Sequence, residues 1–159
     1  MKKIKIVIYV AFMSFLVVSC GSNTQKTEDN KTTSEEKVSD DPPSYDPKRG
    51  TGKFTTVDVG DKLDASMAES GKKAYDVKCS SCHKLTDEKL VGPGWKGVSQ
   101  RRTPVWIMNF ITNTDEMLNK DPEAQAQLEI CLVRMPNQSL SDDEARHLLE
   151  YMRQNDGVK

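Results

Sequence analysis

The chain has 159 residues, with 23 lysines and arginines against 24 aspartates and glutamates and a formal charge of −1. The basic excess that nucleic-acid binding requires is absent, which excludes that class of partner. The length accommodates one ordinary domain beside any targeting or linking segments.

Residues 1–19 read as a targeting segment and stand apart from the fold. Met1-Lys2-Lys3-Ile4-Lys5 is basic and free of acids, and residues 6–18 are apolar but too short for a comfortable span of about 20 residues. The run ends in Val17-Val18-Ser19-Cys20-Gly21, with cysteine in the first position after a small-residue cleavage site. This resembles a bacterial lipobox, which makes Cys20 the lipid attachment residue. Two or more acyl chains on Cys20 would hold the exported chain stably at a bacterial membrane, facing the periplasm or the cell exterior. Loss of the leader removes three lysines and no acid, leaving 20 basic and 24 acidic residues, a formal charge of −4.

Residues 20–50 are almost wholly polar, with Pro42-Pro43 and Pro47, and with Val38 and Tyr45 as the only large apolar side chains. Such a stretch buries too little surface to offset its ordering entropy and is expected to be a disordered tether. About thirty flexible residues reach roughly 30 Å, enough to search for a partner on the same membrane.

The folded domain is expected over residues 51–159. A turn-rich arm over 53–64 comes first. Residues 66–78 follow as a helix, with Met67, Ala68, Gly71, Ala74, Tyr75 and Lys78 at three- and four-residue spacings. Thr103-Pro104 opens another helix, as a capping residue followed by proline at the first helical position. Asp121-Pro122 repeats that signal, and its helix sets Ala124, Leu128, Cys131 and Leu132 on one face. Ser141-Asp142-Asp143-Glu144 is a capping box, opening a helix with Ala145, Leu148, Leu149 and Met152 on one stripe to about Gln154. No segment alternates as a strand, so the fold class is all-α.

After the first helix stands Cys79-Ser80-Ser81-Cys82-His83. Two cysteines three apart with histidine directly after the second are the signature of covalent c-type haem attachment. The two thiols add to the two vinyl groups on one edge of the porphyrin, and the short link brings His83 under the iron. A thioredoxin-like pair would sit at a strand-to-helix junction, whereas this one follows a helix. A structural zinc site would need two more ligands, and only the distant Cys131 and His147 remain. With Cys20 taking lipid and Cys79 and Cys82 taking haem, Cys131 is single, and no disulfide can form within the chain. The haem is then the staple of a small domain.

From Gly71 to Met152 the order of these features resembles a class I, monohaem cytochrome c. Gly71 and Tyr75 on the first helix, with Leu148 and Tyr151 on the last, match the family's helix crossing. The resemblance implies helices packed around one covalently bound haem c. It also implies that the Pro93 carbonyl of Val91-Gly92-Pro93-Gly94 accepts the Nδ1–H of His83, fixing the ring and raising its basicity. For the distal iron ligand the candidates are Met67, Met108, Met117, Met135, Met152 and His147. Methionine within a helix is commonly core filler, and a surface ion pair with Asp143 explains His147. Met135 lies in Arg134-Met135-Pro136-Asn137, the loop before the last helix, which is the family's arrangement for that ligand. Met117 is the fallback. Trp95, Trp106, Arg101 and Arg102 stand as candidates to line the haem or bond its propionates. Cys131 reads as a small hydrophobe.

A haem iron filled on both sides by His83 and Met135 has no open position for substrate chemistry, and thioether ligation raises its potential. The implied function is one-electron transfer to a periplasmic or membrane redox protein, with no catalytic residue, no small-molecule substrate and a monomeric state. Arg101-Arg102-Thr103-Pro104 and Cys131-Leu132-Val133-Arg134-Met135-Pro136 resemble small cytochromes associated with nitrous-oxide reduction, and a haem-copper oxidase is the other expected acceptor. Between Lys78 and Arg102 six basic residues face Asp87 and Glu88, while Asp142, Asp143 and Glu144 open the last helix. That dipole is expected to steer the haem edge toward an acidic patch. Two other classes compete: a haem-based gas or ligand sensor with a labile or absent distal ligand, and a thiol-disulfide oxidoreductase with Cys79 and Cys82 free.

Overall fold

The computed structural model describes residues 45–159, so Cys20, the leader and most of the expected tether lie outside the described residues. Among the described residues there are six helices and no strand, and no helix is long and apolar enough to cross a membrane. They are α1 (Ala65–Lys78), α2 (Val98–Arg101), α3 (Pro104–Thr112), α4 (Thr114–Lys120), α5 (Pro122–Cys131) and α6 (Asp142–Asn155).

Helix α1 starts where Asp64 accepts the Met67 N–H, and it buries Ala68, Gly71 and Tyr75 along one stripe. Helix α6 carries the full reciprocal capping box of Ser141 and Glu144. The two cross at Gly71, where a Cβ would stand 2.0 Å from the His147 carbonyl oxygen and 2.9 Å from the Tyr151 Cβ. The obstacle is backbone, which cannot swing aside, so even Gly71→Ala forces the helices apart. Lys78 and Glu144 close the far end of the crossing with a 2.9 Å ion pair, and Lys78 holds the Glu144 carboxyl down to about 2.

Helix α3 is capped by Thr103 and buries Trp106, Ile107, Met108, Asn109 and Ile111. Buried Asn109 has a structural task. Its side chain accepts from the Phe54 N–H at 3.0 Å and donates to the carbonyls of Arg49 and Phe54, each at 3.0 Å. This holds the extended N-terminal arm on α3. The arm begins earlier than the composition implies: Tyr45 donates to the buried Asp121 carboxylate, and Thr103 donates to the Lys48 carbonyl. Residues 45–50, placed in the tether by their polarity, are hydrogen-bonded to the domain. Their neighbours satisfy backbone groups that sequence polarity cannot evaluate.

The second anchor of the arm is Glu150, fully buried on α6. It accepts from the Asp64 N–H at 2.9 Å, from Arg146 at 2.6 Å and from Arg153 at 2.8 and 3.0 Å, while Arg153 also reaches the Gly60 carbonyl. Burial pushes the Glu150 carboxyl up, but the Asp64 N–H and the two guanidiniums outweigh it and leave the pKa below its ordinary value. The stability from this group is therefore complete above the unfolded carboxyl pKa near 4.3 and is lost as pH falls through the lower folded value. Glu150→Gln leaves two guanidiniums facing a neutral amide and is expected to cost about 3–5 kcal/mol. Denaturant unfolding of the haem-loaded protein at neutral pH and at roughly pH 4 measures it, and the variant's stability should fall less on acidification.

Two helices were not expected from sequence. Helix α2 has four residues and draws its start from the other end of the chain: Asp156 accepts from Gly97 N at 2.5 Å, Ser99 N at 2.8 Å and Ser99 Oγ at 2.6 Å. Helix α4 had a local signal, Asp115 and Glu116 in its first turn and Lys120 in its last, which suits the helix dipole. Leu132 also departs from expectation. Helix α5 ends at Cys131, and Leu132 turns left-handed at φ 59° instead of joining the apolar face.

Candidate haem-binding cleft

Beyond α1 the pentapeptide coils back on itself. Both Cys82 N and His83 N donate to the Cys79 carbonyl, at 3.0 and 2.9 Å, and the Tyr75 hydroxyl donates to the His83 carbonyl at 2.7 Å. The chain then returns, with Gly92 N donating to the Cys82 carbonyl at 2.9 Å. This return places the Pro93 carbonyl 2.8 Å from His83 Nδ1. A carbonyl only accepts, so Nδ1 carries the proton and the neutral ring keeps its lone pair on Nε2. Burial lowers the His83 pKa, against the Pro93 bond that raises it, and so favours the neutral, ligating form. Gly92 lies flat against the imidazole: a Cβ there would stand 2.4 Å from His83 Cε1. Trp95 backs the ring at 5.8 Å between centroids and packs on Tyr75 at 4.9 Å.

His83 and Cys82 open into a cavity of about 250 Å³, walled mostly by aliphatic and aromatic side chains. Of the six distal-ligand candidates, Met135 and Met152 line it. Met117, the fallback, is fully buried elsewhere, with its sulfur accepting the Thr51 N–H at 3.0 Å. Met152 belongs to the core stripe of α6. Met135 is half-buried on a loop that Arg134 pins to α4, through the Asp115 carbonyl at 3.1 Å and Asn119 Oδ1 at 2.9 Å. His147 does not line the cavity and forms no ion pair with Asp143; its backbone carbonyl is the surface on which Gly71 packs.

Residues 68–156 match the Cytochrome c family model. The chain belongs to the cytochrome c family. Among solved structures it is similar to a cytochrome c from Rhodothermus marinus, at 34% identity and a TM-score of 0.64, covering 66% of this chain and 90% of that one. It is also similar to an engineered cytochrome c from Rhodothermus marinus, at 32% identity and a TM-score of 0.66, covering 70% of this chain and 98% of that one. The same engineered protein bound to a carbene intermediate matches at 32% identity and a TM-score of 0.63, covering 70% and 98%. No curated protein matches the chain. Membership implies a covalently attached haem c, the one-electron chemistry of that group and docking with a redox partner.

The residues of this cytochrome fit the group. The apolar cavity, the glycine pressed against the imidazole, the lone pair left on Nε2 and the Cys82 thiol on the cavity wall suit a haem held from its edge, while Cys79, three residues earlier, does not itself line the cavity. Cys79 sits deeper than Cys82, within the buried core, where burial pushes its thiol up to about 11.

All four residues left undecided between Trp95, Trp106, Arg101 and Arg102 line the cavity. Trp106 donates its indole N–H to Asp121 at 2.8 Å, and Arg102 lies 4.7 Å above its ring while pairing with Glu123 at 2.7 Å. Buried Asp121 was missed by sequence reading except as the cap of α5. Burial raises its carboxyl pKa, against the backbone N–H groups of α5 that lower it. The face of α5 carrying Ala124, Leu128 and Cys131 is a wall of the cavity. That face was legible in the spacing, but its neighbour was not.

Proposed function

We propose that this cytochrome is a one-electron carrier whose haem is attached through Cys79 and Cys82 and ligated by His83 and Met135. The supporting observation is that a neutral His83 with its lone pair on Nε2 and Met135, the one methionine outside a helix among the described residues, share a single apolar cavity. The haem supplies the Fe(II)/Fe(III) couple when bound. Pro93 and Gly92 hold the imidazole plane, Trp95 excludes water behind it, and Arg134 anchors the loop that presents Met135. With His83 and Met135 both engaged in holding the haem, the chain would leave no open site for substrate, and electrons would leave by docking.

In this reading acylated Cys20 holds the carrier at a bacterial membrane on the periplasmic or outer side, as a monomer serving a nitrous-oxide reductase or a haem-copper oxidase. The charge dipole is smaller than composition implies. Asp142 pairs with Lys53, and Lys78, Lys84 and Arg102 pair with Glu144, Glu88 and Glu123. Steering falls to Lys89, Lys96 and Arg101.

The visible spectrum and voltammetry of the haem-loaded chain test the reading. A six-coordinate, low-spin haem with one reversible electron is expected. A five-coordinate spectrum that changes on adding carbon monoxide would make the protein a ligand sensor, and a colourless protein with an oxidisable dithiol would make it a thiol oxidoreductase.

A further inference from the structure

Among the described residues, Asp121 is a fully buried carboxylate that forms no ion pair. Its Oδ1 accepts from Ala124 N at 2.8 Å, and its Oδ2 accepts from Trp106 Nε1 at 2.8 Å and from the Tyr45 hydroxyl. Every one of these donors is neutral. The charged groups around it are engaged elsewhere or face water. Arg102, over the Trp106 ring, pairs with Glu123 of α5 at 2.7 Å, and Lys120, at the end of α4, pairs with Glu116 at 2.6 Å. On the arm, Arg49 donates to the carbonyls of Gly52 and Phe54, while Asp46 and Lys48 are exposed. An ionised Asp121 is therefore a buried negative charge held by dipoles alone, which makes it sensitive to any change of charge nearby.

That change is available next door. Trp106 and Ala124 both line the haem cavity, so Asp121 stands one side chain behind its wall. An electron arriving in the cavity removes one positive charge from a poorly solvated region that already holds this carboxylate, and the carboxylate binds a proton more tightly as a result. Its three donors differ in how they can respond. Indole and amide N–H groups only donate, whereas a phenol hydroxyl both donates and accepts. Tyr45 can turn to accept from a protonated Asp121, and at 38% exposed it is the one partner of the three that reaches water.

We propose that Asp121 is a proton site linked to the electron carried: it binds one proton from water through Tyr45 when the haem gains an electron, and releases that proton when the electron leaves. A redox partner supplies the electron and water the proton, so the region gains no net charge. This rests on the carrier reading and adds a proton to it. Burial raises the Asp121 carboxyl pKa, ahead of the Ala124 and Glu123 N–H groups that lower it, and the Glu123 carboxylate raises it further. The titration therefore lies above the ordinary aspartate value of about 3.9, and reduction moves it higher. Between the oxidised-state and reduced-state values the reduction potential falls as pH rises, and outside them it is flat.

The test is voltammetry of the full haem-loaded chain from acid to mildly alkaline pH, joined to infrared difference spectra between its oxidised and reduced forms. Within the window the equilibrium for taking the electron should weaken by up to tenfold per pH unit, which is about 59 mV. The reduced form should show a protonated-carboxyl band that shifts in heavy water and on labelling aspartate with carbon-13. Asp121→Asn should keep the redox wave and lose both the slope and the band. Tyr45→Phe should slow the proton step, so that the slope disappears at fast scan rates and returns at slow ones. A slope that survives Asp121→Asn would assign the proton to the haem propionates, against the proposal. A reduced form without the aspartate band would overturn it as well, and that spectrum of the wild type decides alone if Asp121→Asn does not load haem. A Tyr45→Phe slope independent of scan rate would overturn Tyr45 as the route. No redox wave would remove the carrier reading and this proposal with it, whereas a wave whose potential ignores pH removes the proposal alone.

Discussion

Cys82→Ala is expected to abolish stable covalent haem and to leave the domain largely unfolded. Cys82 and His83 are adjacent on the wall of one cavity, so losing this thioether also frees the imidazole's tether to the ring. Without the haem, an apolar cleft of about 250 Å³ faces water, in a domain whose whole stability is of the order of 5–15 kcal/mol. Among the described residues no disulfide compensates, since their cysteines are free. Haem staining after denaturing electrophoresis reports the attachment, and near-ultraviolet circular dichroism reports the packing. A compact, helical variant without haem would show that the haem is not the staple.

The second large effect is at Met135. With Met135 as the proposed distal ligand, Met135→Ala should erase the weak red charge-transfer band expected of sulfur ligation in the oxidised protein, lower the reduction potential and open the iron to small ligands such as carbon monoxide. Packing cannot substitute for a coordinate bond, so the spectral change should be complete rather than graded. Met117→Ala should leave the band intact and cost about 2–5 kcal/mol of stability, because that side chain is fully buried against the N-terminal arm and its sulfur is already a hydrogen-bond acceptor for Thr51. Spectra and unfolding curves of the two variants decide the ligand. A band that survives the loss of Met135 and vanishes with Met117 would transfer the role.

The attachment motif and the capping box of α6 were legible in sequence because each is a local rule: a thiol pair spaced for two vinyl groups and a cap three residues from its acid are written in consecutive residues. The helix crossing at Gly71 joins residues more than seventy apart and was legible through the family pattern. The choice between Met135 and Met117 was legible only through the family pattern. What separates them in the structure is which one lies in the cavity with His83, a relation between residues 34 and 52 positions apart in the chain.

Sequence by itself determined the all-α class and the starts of four helices, and it marked out the thiols proposed to take the haem and the imidazole beside them, since these depend on periodicity and short spacings. Tertiary structure alone decided the rest. It made Tyr45 to Gly50 part of the domain through Asp121 and Asn109, built α2 on Asp156, seated Glu150 between two arginines and left Leu132 in solvent. Each of these depends on hydrogen bonds or burial between segments far apart in the chain. A side chain's polarity does not reveal whether its partner will arrive from the far end of the fold.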